Sequence, residues 1–193
     1  MASPRRRVRI SRSRVVRTYA ELWQASRVLC DIAHEAESGS TWTSLSSILL
    51  TTFTLEAYLN HIGPKLFSTW DRLEVLSPRA KLDIILEKTG TSLPAGSGLL
   101  QTVDQLLRFR NTLAHGKTHT LEPDDELRSA SSNVDRHLWK GPKTEWEKLC
   151  TPAFAKRART HVEKLVHKLH DGAKIKGEYP FVHGVGMHSV SLE

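Results

Sequence analysis

Long hydrophobic runs are missing from this sequence. The longest uninterrupted apolar stretches span a few residues, well short of the roughly 20 needed to cross a bilayer, so no membrane-spanning helix and no membrane partner are expected. The arginines near the start are not followed by the apolar core of a secretory signal. Cysteine is scarce too. Cys30 and Cys150 are the only two, without metal-type or disulfide-type spacing, and read as packed or partly exposed thiols. No Gly-rich phosphate loop, serine nucleophile elbow or zinc pattern occurs, so neither a cofactor nor a metal is expected. Strand alternation of useful length and internal repeats are absent as well. The composition suits a soluble, cytoplasmic helical protein.

Acid is lacking in one place. The first seventeen residues hold Arg5, Arg6, Arg7, Arg9, Arg12, Arg14 and Arg17 and no carboxylate. These seven charges equal the whole net charge of +7, because the other 21 basic residues face 21 acidic ones. Residues 1–17 therefore read as a basic arm, disordered alone and able to bind polyanions by counterion release. A solvated tail, an earlier start than the true one and an organelle transit peptide are the competing readings of the same arginines. The arm has no interleaved aromatics, so any contact with a nucleic acid would be with phosphate rather than bases.

With 193 residues, the chain suits one domain with tails. Helical spacing organises it. Thr18 and Glu21 form a Thr-x-x-Glu capping signature before a helix predicted over 18–37, with Leu22, Ala25, Leu29, Ile32, Ala33 and Ala36 on one face. A second helix is predicted over 42–62, stopped by Gly63 and Pro64. Its many Ser and Thr residues are weak helix formers, so tertiary packing must hold it. Glu56 sits near its apolar stripe, either at the edge or paired with a cation. Ser77-Pro78 and Thr151-Pro152 are cap-then-proline starts for helices ending at Gly90 and at Gly172. Another helix begins near Gly98, with Asp104 and Arg108 as an i, i+4 pair. Residues 117–143 lose the pattern and read as a long acidic loop with one turn of helix, closed by a short helix at Thr144, Trp146 and Leu149. Residues 173–193 read as a tail. The expected fold is all-α, an antiparallel bundle of four main helices with additional short helices, over residues 18–172.

The stretch Leu106 to Gly116 departs from simple packing. Its apolar helix runs into Arg110, Asn111 and His115 and then meets Gly116. On an ideal helix Arg110 and His115 stand about 140° apart, but a left-handed Gly116 would let the last turn tighten or unwind. A guanidinium holds a permanent planar charge suited to phosphate oxygens, and an imidazole titrates near neutrality. The pair suits a phosphodiester. A helix-end arginine with a histidine capping the last carbonyls is the structural alternative. His115 and His119 have metal-type i, i+4 spacing, but the intervening glycine argues against a continuous helix. His161, His167 and His170 read as a solvated face, and His61 as structural.

Arg110-Asn111-x-x-x-His115 at the end of a bundle helix is similar to the Arg-x4-6-His motif of the HEPN superfamily. The stretch Leu55-Glu56-Ala57-Tyr58-Leu59-Asn60-His61-Ile62-Gly63 also looks like an early helix of bacterial HEPN-like proteins. The resemblance implies a HEPN-like bundle and a metal-independent endoribonuclease acting as a homodimer, whose two motifs face each other to form one site. Carried over, Arg110 would contact the scissile phosphate and His115 would act as general acid or base. Asn111 would orient the loop or substrate, and Glu56 is a candidate third member. Some toxin-type relatives carry a Tyr two residues beyond the His, where this chain has Lys117. Cleavage by the 2'-hydroxyl would leave a 2',3'-cyclic phosphate. RNA, a second copy of the chain and an antitoxin or defence-system protein are the implied partners, in toxin or antiphage action. Many HEPN domains have lost catalysis, so an inactive adaptor for a protein or nucleotide is the alternative.

Overall fold

The computed structural model describes residues 8–36, 38–94, 96–118, 120–122 and 141–192. Seven helices and one small sheet make up these residues. The order is β1 (Val8–Arg14), α1 (Thr18–Glu35), α2 (Ser40–Leu66), α3 (Trp70–Leu73), α4 (Pro78–Thr89), α5 (Gly98–Ala114), α6 (Glu145–Leu149), α7 (Pro152–Gly172) and β2 (Gly186–Leu192). The chain is mostly helical, as its spacing predicts.

Helix α2 is the hub. It packs along α1, to which a short connection joins it, and against α4, α5 and α7. Its apolar face sets Ile48, Leu55, Tyr58, Leu59 and Ile62 against Leu82 and Ile85 of α4, Val103, Leu106 and Phe109 of α5, and Val162, Leu165, Val166 and Leu169 of α7, all buried. The Ser and Thr residues of α2 stay helical by satisfying themselves locally. Thr51, Thr52 and Thr54 donate to the carbonyls of Ser47, Ile48 and Leu50 at 2.7–2.9 Å. Ser47 instead reaches across to the Ser26 carbonyl of α1 at 2.8 Å, so a weak helix former becomes an interhelical tie.

Helix α2 passes through its predicted stop. It continues through Gly63 and Pro64 to Leu66. Gly63 is there for closeness: a Cβ at this position would collide with the indole of Trp70, which lies flat on the helix. Proline one turn from the end removes an N–H that only the final turn would use, so the helix survives it.

Local capping follows the proline signatures. Ser77 and Thr151 accept from the amides of Ala80 and Phe154, with proline in the first turn of each helix. Gly90 closes α4 in the left-handed region at φ 66°. The Thr18 signature does not operate. Thr18 is already the first helical residue, Arg17 is the cap and its side chain makes no capping bond, and Glu21 is engaged by Arg14 at 2.8 Å and His183 at 3.4 Å. A true capping box stands elsewhere, at Thr144 and Glu147 before α6. Asp104 likewise turns away from Arg108 and pairs with Arg79 of α4 at 2.8 Å.

The two ends of the chain are ordered against each other, which corrects the expectation of no strand. Residues 8–14, expected to be part of a disordered arm, pair antiparallel with 186–192 of the expected tail, from Val8 opposite Leu192 to Arg14 opposite Gly186. Residues 1–7 of the arm and most of the acidic loop lie outside the described residues. A strap over 173–185 leads into β2. Within it Phe181, at φ 65°, stacks on Trp23 with centroids 4.4 Å apart. Glu178 receives Lys65 at 2.5 Å and meets His61 at 3.2 Å.

His170 is not part of a solvated face. It is buried, with Nε2 donating to the Glu178 carbonyl at 2.9 Å and Nδ1 positioned to accept from the Tyr58 hydroxyl at 3.1 Å. His161 is half-buried and meets Thr102 at 2.8 Å, while His167 is exposed and abuts the Phe181 ring. Both cysteines are buried and free, and burial raises the Cys150 thiol to about 11. No helix among the described residues is long and apolar enough to cross a membrane.

Candidate functional site

Arg110 extends the buried stripe of α5, lying four residues after Leu106 and seven after Val103. Helical spacing therefore turns it inward, toward α2. There its Nη2 donates to Glu56 Oε2 at 3.2 Å, and its Nη1 to Asn111 Oδ1 at 2.9 Å. The guanidinium is 30% exposed and the carboxylate 18%, so the pair stands at the bundle's edge. Two of five N–H donors are used in these bonds, and the open side can take an anion.

Glu56 has an asymmetric environment. Its second oxygen, Oε1, is buried without a hydrogen-bond partner. Burial raises its carboxyl above the ordinary carboxylate value, while the cations of Arg110 and Lys81 pull it back. Lys81 is a member of this site that sequence reasoning missed. It is buried, donates to Asn60 Oδ1 at 2.8 Å and lies 5.9 Å over the Trp70 ring. The signal was present: Lys81 stands four residues before Ile85, on the inward side of α4.

The end of α5 is regular. The His115 amide donates to the Asn111 carbonyl at 3.0 Å, and Gly116 does not take the left-handed conformation expected of it. A Cβ there would lie 3.1 Å from the Thr112 carbonyl oxygen, so close packing on the helix end is what the glycine serves. Without a distorted turn, Arg110 and His115 leave the helix in different directions. Arg110 meets α2, and the exposed His115 faces the side on which α6 lies.

That side carries an open groove of about 800 Å³, lined by Asn111, His115, Gly116 and Lys117 on one bank and Thr144, Trp146 and Glu147 on the other. The sequence puts Trp146 in the short helix that closes the loop; its role as a wall of this groove follows from where α6 docks. Asn111 belongs to both halves. Its side-chain oxygen holds Arg110 and its residue lines the groove with His115. The predicted four thus fall into two contacting sets, Glu56 with Arg110 and Asn111, and Asn111 with His115. The His115/His119 spacing falls on a residue outside the described set. Among the described residues no three His, Cys, Asp or Glu side chains converge as metal ligands.

Fold and site together define a mostly helical chain with a half-buried ion pair and an exposed imidazole at the end of one core helix. Comparison with protein-family models, with curated proteins and with solved structures finds no match for this chain.

Proposed function

We propose that this chain is a metal-independent endoribonuclease of HEPN type, acting as a dimer in the cytoplasm as a toxin or antiphage effector. The observation that carries the reading is the double role of Asn111, which bonds the Arg110 guanidinium and lines the groove that holds His115. A phosphodiester laid across Asn111 would meet a fixed cation on one side and a titratable base on the other. His115 would take the proton of the 2'-hydroxyl, the 2'-oxygen would bond to phosphorus, and the bond to the 5'-oxygen would break. The leaving oxygen needs a proton from the opposite side. Among the described residues one chain supplies one imidazole at this groove, so a second copy facing it would supply the acid, which is why the dimer enters the reading. Glu56 holds Arg110 in place, and the 2',3'-cyclic phosphate is the expected product.

His115→Ala is expected to abolish cleavage of RNA in EDTA while the protein stays folded and keeps its oligomeric state. Gel analysis of RNA fragments, with mass spectrometry of their ends, reads the result. Cleavage at the wild-type rate would end the assignment.

One observation favours a second reading. Arg110 is already neutralised by Glu56 at 3.2 Å, and an arginine so occupied serves packing as well as catalysis. On that reading the chain is a catalytically silent HEPN-like adaptor for a partner protein or nucleotide, and wild type itself cleaves nothing.

A further inference from the structure

We propose that the ribbon of β1 and β2 is a preformed RNA-binding element that grips the sugar-phosphate backbone without reading bases, and that β2 is what makes it one. The choice of RNA as the polymer rests on the reading given above. The sequence alone offers seven arginines on an arm; the structure sets Arg9, Arg12 and Arg14 on a paired strand with every residue of that strand exposed. Neither strand carries an acid, while residues 18–193 taken together are formally neutral.

Register arranges the charge. Arg12 stands opposite His188 and Arg14 opposite Gly186, and alternation puts Arg12 and Arg14 on the same face, about 6.8 Å apart along the strand. Two guanidiniums on one face can therefore meet two phosphates of a single strand. Arg14 also pairs with Glu21 at 2.8 Å, but both groups are well exposed and can exchange for solvent or phosphate. No Phe, Tyr or Trp lies on either strand, so the ribbon offers no large stacking platform and its contact is with the backbone rather than the bases.

The ribbon is tied to the bundle at its base. Val15 donates to the Val185 carbonyl at 3.1 Å and Arg17 to the Val182 carbonyl at 3.1 Å. Gly184 lets the strands approach where a Cβ would strike the Val15 carbonyl. Beyond that base, Val8, Ile10 and Val190 are 51%, 52% and 65% exposed on the face that Arg12 shares. A free two-stranded ribbon is marginal in water, and a bound polymer would cover this face. A second copy of the ribbon fits poorly, because it would set like charges side by side.

The test measures binding, not cleavage, in a His115→Ala background. Fluorescence anisotropy of a labelled, mixed-sequence single-stranded RNA is followed across a salt series for three proteins: the background, Arg12→Ser/Arg14→Ser, and Ser189→Pro. Each arginine removed is expected to flatten the log–log salt slope by about 0.7 and to weaken binding about fivefold at 0.1 M salt relative to 1 M. Ser189→Pro keeps every charge but breaks the ladder opposite Ser11, and is expected to weaken binding at least threefold with the bundle's circular dichroism unchanged. Wild-type affinity in Ser189→Pro would mean the arginines act as a loose tail, and an unchanged slope in the double variant would mean they do not touch RNA. Either result overturns the proposal, as would binding only to anionic vesicles or a ribbon-dependent dimer without RNA binding. Ribbon-dependent binding in a protein whose wild type cleaves nothing would leave the ribbon standing and remove the nuclease.

Discussion

Replacing Arg110 with methionine probes the pair on which the candidate site depends. Methionine keeps much of the stem's packing and removes the charge. Glu56 then keeps a half-buried carboxylate whose Oε1 already has no partner and loses its ion-pair donor at 3.2 Å. Breaking a fully buried pair costs about 3–5 kcal/mol and an exposed one about 0–1 kcal/mol. With exposures of 30% and 18%, this pair falls between, at about 2 kcal/mol, or a melting temperature lower by about 4–8 °C for a chain of this size. Glu56→Gln leaves an amide oxygen for Arg110 and is expected to cost under about 1 kcal/mol. The double variant is therefore expected to be more stable than Arg110→Met alone, a non-additive cycle.

The pH dependence fixes the sign. The Glu56 carboxyl is raised by burial, so between its ordinary and its folded value the folded chain holds a proton that the unfolded chain has released. Ionising it in the folded state is a cost present above the folded value and absent below the ordinary one, about 4.3 for Glu. Removing Arg110 takes away a charge that lowers it, which widens that window. The deficit of Arg110→Met relative to wild type should shrink as pH falls from neutrality toward 4.5. Urea unfolding at a series of pH values measures it. A deficit constant with pH, or single-variant effects that simply add, would refute the linkage between burial, charge and stability argued here.

Other consequences are as direct. Gly63→Ala gains up to about 1 kcal/mol of helix propensity but drives a methyl into the Trp70 indole, an overpacking of about 1–3 kcal/mol, so a net loss is expected in the urea midpoint; unchanged or increased stability would contradict the packing account. The Glu178 carboxyl is held below its ordinary value first by the hydrogen bond from Lys65. Its contribution is full above the ordinary value and is lost as pH falls through the lowered folded one. Glu178→Gln should therefore speed hydrogen exchange in the 173–185 strap at neutral pH. The gap to wild type should close in acid; a gap that persists there would show that the contribution of Glu178 does not come from its charge.

How much of this was legible beforehand depends on the range over which each feature is decided. Helical spacing and the two cap-then-proline starts are local, and the sequence by itself determined the mostly helical character, the start of α4 at Pro78 and of α7 at Pro152. It also determined that all the excess charge lies in the first seventeen residues, and that Glu56 needed either an edge position or a cation. Only tertiary structure decided which cation, because Arg110 is 54 residues away and becomes a neighbour when α5 docks on α2. The two Thr-x-x-Glu signatures show the same division. Both are adequate locally, yet Glu147 caps its helix while Glu21 is drawn off by Arg14 of the preceding strand and by His183, which the distant C-terminal strap brings to it. Gly63 reads as a stop from its conformational freedom, and the fold uses it instead for the missing side chain that lets Trp70 lie flat. The ribbon was the least legible of all, since β1 shows little hydrophobic alternation. Its partner lies at the other end of the chain, and backbone hydrogen bonding between strands leaves no mark in either sequence alone.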